Sequence, residues 1–124
     1  MSMDIILRYG GDILWAIALG LMANISRTGF RRIPPGTPTP APWNFGGAPG
    51  PRAPRALALL FVPTAAFFIG AGLVIVAATH TESDAQSVLI FGARALLAAL
   101  FALVHVTHVR GALNVLEAEN RLRP

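Results

Sequence analysis

A chain of 124 residues with net charge +4, 54% hydrophobic and 13% charged, carries too few charges to cover a water-soluble surface, for which about 25% is usual. Its mean hydropathy of +0.59 places it in the membrane class, and its length allows one domain that encloses little beyond its own side chains. Cysteine is absent, which excludes disulfides, thiolate nucleophiles and cysteine-ligated metals.

All ten basic residues are arginine, beside abundant Ala, Gly and Pro, a usage that points to a GC-rich bacterial genome. The arginines flank apolar runs and do not form a stripe interleaved with aromatics, so they read as topology signals and not as a nucleic-acid surface. The expected class is an all-α integral membrane protein of three transmembrane helices, with a Pro/Gly-rich ordered loop between the first two.

The first span is expected over residues 5–25, about 30 Å of helix. Arg8 and Asp12, four residues apart, share a face and are expected to pair near the outer interface. Arg8 is the only basic residue ahead of the loop, so the segment reads as a mature helix and not a signal peptide.

Residues 26–55 form the most distinctive segment, with eight of the ten prolines. Proline fixes φ and favours polyproline or turn geometry. A flexible linker would share that composition, but Ile33, Trp43 and Phe45 are apolar anchors and Asn44 to Gly47 have turn chemistry. The reading favours an ordered cap, with Trp43 and Phe45 at the headgroup level.

The second span is expected over 56–79, with Pro63 in its second turn, and the third over 88–109, with a helical extension over 110–122. Small residues recur at four-residue spacing, as in Ala16 and Gly20, Ala66 and Gly70, or Ala95 and Ala99. Such pairs permit close helix packing in lipid, although an alanine-rich composition also produces them. Arg94, near the outer end of the third span, is expected to snorkel.

Arg27, Arg31, Arg32, Arg52 and Arg55 in the first loop and Arg110, Arg121 and Arg123 in the tail contrast with His80, Glu82 and Asp84 in the second loop. The positive-inside rule then puts the first loop and C-terminus in the cytoplasm and the N-terminus outside, in a bacterial inner membrane.

The series Ile33-Pro34, Pro40 or Pro42, Trp43-Asn44-Phe45, Gly46 or Gly47, Pro49, an arginine pair, then Leu59-Leu60-Phe61-Val62-Pro63 resembles a small bacterial membrane domain of unknown function. That domain is best known at the N-terminus of the immunity protein against the sporulation-delaying killing toxin. The resemblance covers about residues 30–65 and implies a shared loop fold with its flanking helices. It departs in two respects: the immunity proteins have further helices, and their matching loop is expected outside the cell.

A shorter series, Arg110, Asn114 and Glu117, is similar to the Arg-x-x-x-Asn-x-x-Glu signature of membrane-associated glutathione transferases. In that family the signature begins a transmembrane helix, whereas here seven residues follow Glu117.

His105 and His108 share a face near the inner end of the third span, where histidine is costly enough to suggest a role. They are candidates for contact with a haem or chlorophyll-type pigment, against interhelical hydrogen bonding or interface placement. Two imidazoles on one helix cannot clamp both faces of a macrocycle, and no metal shell is apparent. No nucleophile elbow, phosphate loop or chain of intramembrane carboxylates is present.

The function expected is therefore contact without catalysis, by an accessory or assembly subunit docking on other transmembrane subunits of a larger complex, photosynthetic or respiratory in type. Trp43, Phe45, Arg52, Arg55, Ala66, Gly70 and Arg94 are the candidate interface residues. A free-standing immunity or sensor module is the alternative, and a glutathione-transferase-like enzyme a remote one.

Overall fold

The computed structural model describes residues 2–43, 51–79 and 83–123. Three helices, α1 (Met3–Arg32), α2 (Arg55–Thr79) and α3 (Asp84–Ala118), are each long and apolar enough to cross a membrane. Two short strands, β1 (Thr39–Pro40) and β2 (Arg52–Ala53), pair antiparallel between α1 and α2. The chain is an all-α membrane protein.

Local chemistry sets the helix ends. Ser2 caps α1 by accepting from the Ile5 amide, and Ser83 caps α3 by accepting from the Gln86 amide. The first helix continues past the expected boundary at Ile25 to Arg32, because residues 26–32 contain no proline, the first being Pro34. Ile33 is accordingly extended, as a residue before proline prefers. α3 runs unbroken through the expected span into its extension and stops at Ala118, where Asn120 adopts φ 56°. The Asn120 amide donates to Glu117 O and the Arg121 amide to Leu116 O, the paired bonds of a Schellman end.

α1 and α3 lie side by side in the same direction: Ser87 near the start of α3 donates to Asp4, and His105 lies against Ser26 toward the other end. α2 runs back between those levels, with Ala66 at Trp15 and Leu59 at Ser26. Buried positions step by three and four along α1 (Gly11, Trp15, Ala18, Met22, Ser26, Gly29). The same steps or their sum recur along α3 (Arg94, Ala98, His105, Val109, Ala112, Leu116). That helical period of about 3.6 residues keeps one seam of each helix against its neighbours.

Outside the seam the pattern inverts that of a soluble domain. Ile13, Ile17, Phe68, Ile75, Leu89 and Leu103 are all more than half exposed and form an apolar surface for bilayer chains.

Candidate functional site

The polar side chains inside the bundle converge on three places. The first begins with Pro63, which has no N–H to give the carbonyl four residues back, that of Leu59. Ser26 of α1 fills the gap: its hydroxyl donates to Leu59 O at 2.7 Å. With that proton committed, Ser26 accepts from His105 of α3 at 2.8 Å, which places the imidazole proton on Nε2. Three helices are thereby tied at one level by a chain running from a proline-freed carbonyl through a hydroxyl to a buried imidazole.

The second place lies three turns of α3 away, roughly 16 Å along the axis. Arg94 is buried, with 1% of its surface exposed, and its Nη2 pairs with Asp12 of α1. Its Nη1 donates to the Arg8 carbonyl at 3.1 Å. Gly11 makes room for the guanidinium, since a Cβ there would stand 2.6 Å from Nη1. This corrects two expectations. Asp12 pairs across the helix interface and not with Arg8, whose side chain lies 5.7 Å from the Tyr9 ring. Arg94 does not snorkel, because an ion pair with a second hydrogen bond in a dry seam outweighs reaching for the headgroups.

The third is the Trp15 indole, which donates to Ala66 O at 3.1 Å and lies directly over Gly70. The Ala66 and Gly70 pair thus admits an aromatic side chain from α1. Phe101 closes the other side of the indole, edge-on at 6.1 Å.

The loop is fastened to all three helices. His108 donates from Nε2 to Pro40 O at 2.8 Å. Arg52 makes a two-toothed bond to Glu119 at 2.9 and 3.2 Å, which holds the Glu119 carboxyl below the usual glutamate range. Arg55 donates to the carbonyls of Phe30 and Ile33 at the open end of α1 and lies 4.8 Å from the Phe30 ring. Ile33, Thr39 and Ala41 are buried beneath. Trp43 packs edge-on to Phe61 at 5.3 Å and remains 43% exposed, while Phe45, His80 and Glu82 lie outside the described residues.

Both histidines therefore spend Nε2 inside the chain, and their Nδ1 atoms are buried without a hydrogen bond, the Met22 backbone lying beside the His105 ring. A pigment or haem iron would have to reach a buried Nδ1 or displace one of the Nε2 bonds. Among the described residues no three metal-ligating side chains come together. Arg110, Asn114 and Glu117 are all exposed on the last turns of α3. An apolar groove of about 210 Å³ opens between α2 and α3, lined by Phe61, Val62, Ala65, Leu97, Phe101 and Val104 among others, with Trp43 against its Phe61 edge.

Sequence reasoning singled out both histidines, Arg94 and the Ala66 and Gly70 pair, but missed Ser26 and Trp15. The signal for Ser26 was available: a proline within a span strands a carbonyl, and a hydroxyl on another span is a ready donor. In comparisons with protein-family models, curated proteins and solved structures, the chain matches none.

Proposed function

We propose that this chain is a non-catalytic accessory or assembly subunit that docks on other transmembrane subunits of a larger membrane complex. One observation carries the reading. The side chains with chemical potential, His105, His108, Ser26, Asp12 and Arg94, are engaged in holding helices and loop together, which suits a rigid body that works through its surface. The clamped loop supports it, presenting Trp43 beside an apolar groove at the edge of the bundle. The arginine-rich end lies in the cytoplasm and the N-terminus outside a bacterial inner membrane, in keeping with the positive-inside rule.

A photo-crosslinking residue at Phe61, in place of the groove-edge ring, tests this in intact cells. A discrete adduct to one other membrane protein is the expected result. Adducts to lipid alone would favour the second reading, a free-standing immunity or sensor module. That reading draws on the same exposed Trp43, packed on Phe61 and open to an external ligand.

A further inference from the structure

Eight of the ten arginines lie toward the end where α1 and α3 finish, accompanied there by two glutamates, Glu117 and Glu119. Two of the eight are engaged: Arg52 holds Glu119, and Arg55 holds the α1 carbonyls. Among the described residues, Arg27, Arg31, Arg32, Arg110, Arg121 and Arg123 form no ion pair.

The fold concentrates these charges. Arg27 and Arg31 are exposed one turn apart on α1, a spacing at which like charges repel. The Schellman end of α3 turns the tail back so that Leu122 packs on the cluster of Ile33, Leu59, Val109 and Leu116. The Arg123 amide then donates to the Arg32 carbonyl at 2.8 Å, bringing two more arginines together. The C-terminal dipoles of α1 and α3 supply about half a negative charge each, and together with Glu117 they fall far short of six cations. The surplus attracts an external anion.

Its source follows from depth. At 1.5 Å per residue the 30 residues of α1 and 35 of α3 extend about 45 and 52 Å, well beyond a hydrocarbon core of about 30 Å. Their last turns thus stand among the headgroups, where the anions are phosphates, and guanidinium groups bind phosphate in two-toothed geometry. We infer that this arginine collar is a binding surface for anionic phospholipid headgroups, assembled by the contact of the tail with the end of α1.

The test uses the full chain in a neutral detergent, with native mass spectrometry counting phosphatidylglycerol and phosphatidylcholine retained from an equimolar mixture. Phosphatidylglycerol should be retained at least roughly tenfold over phosphatidylcholine, and the advantage should fall by a similar factor in the variant Arg32→Gln/Arg123→Gln. An Arg8→Gln variant, altered at the opposite end, should keep it. Circular dichroism confirms that each variant is folded. Equal retention of the two lipids, an unchanged preference in the double variant, or displacement of phosphatidylglycerol by millimolar inorganic phosphate would overturn the inference, the last by assigning the collar to a soluble anion.

Discussion

Pro63 and Ser26 are matched across two helices: the proline withholds the amide that would cover the Leu59 carbonyl, and the serine hydroxyl covers it at 2.7 Å. The same hydroxyl accepts from His105. Ser26→Ala should destabilise the protein by about 1–2 kcal/mol, since it strands both a carbonyl and an imidazole N–H. Pro63→Ala supplies the missing amide, so Ser26→Ala in that background should cost less. A double-mutant cycle by thermal unfolding in detergent measures the coupling, and strict additivity would show that the two residues are unrelated.

The ion pair gives an asymmetric expectation. Arg94 keeps 2% of its side chain exposed and Asp12 35%, so a stranded carboxylate can turn outward whereas a stranded guanidinium cannot. Asp12→Leu should therefore be the more damaging, near the upper part of the ~3–5 kcal/mol range for breaking a buried pair, and Arg94→Leu the milder. Replacing both by leucine should restore much of the loss. Denaturant titration of the three variants would count against the pair if the double variant were the least stable.

Glycine positions divide by what a methyl group would meet. At Gly70 it would overlap the Trp15 indole, and at Gly29 it would stand 2.8 Å from Leu59 Cδ2. At Gly20 it would meet nothing within 4 Å. Gly70→Ala should cost at least about 1–3 kcal/mol and Gly29→Ala less, because a leucine end can yield. Gly20→Ala should be neutral or slightly stabilising in the isolated protein. Melting temperatures in one detergent settle the order.

Acid should loosen the loop. The Arg52 hydrogen bonds depress the Glu119 pKa, so their contribution is complete above the ordinary glutamate pKa and is lost as pH falls through the lower, folded value. Limited proteolysis between β1 and β2 should accelerate in that acidic window. In Glu119→Gln the cleavage should be faster at neutral pH and lack this step, and an identical pH profile in the variant would remove Glu119 from the account.

The three spans were legible because run length alone identifies them, but two of their ends were not: α1 runs on to Arg32, just ahead of Pro34, and α3 begins at Asp84 behind the Ser83 cap and not at Val88. The interior was less so. Arg8 and Asp12 stand at helical spacing, and nothing local indicates that the carboxylate belongs to Arg94, 82 residues away. Nothing local to Trp15 marks it as interior; its place is set by Gly70 of α2, which lies against the indole. Side chains that act between helices are specified by rotation and register of the partners, which periodicity within one helix cannot supply.

The central claim is that the bundle is a rigid docking body within a larger assembly. The most direct measurement is the mass and stoichiometry of the particle that carries the chain when native membranes are extracted in the mildest effective detergent. The account predicts a large complex with this subunit in fixed ratio to other membrane proteins. A small particle containing the chain and lipid alone, under conditions that keep known complexes of the same membrane intact, would contradict it.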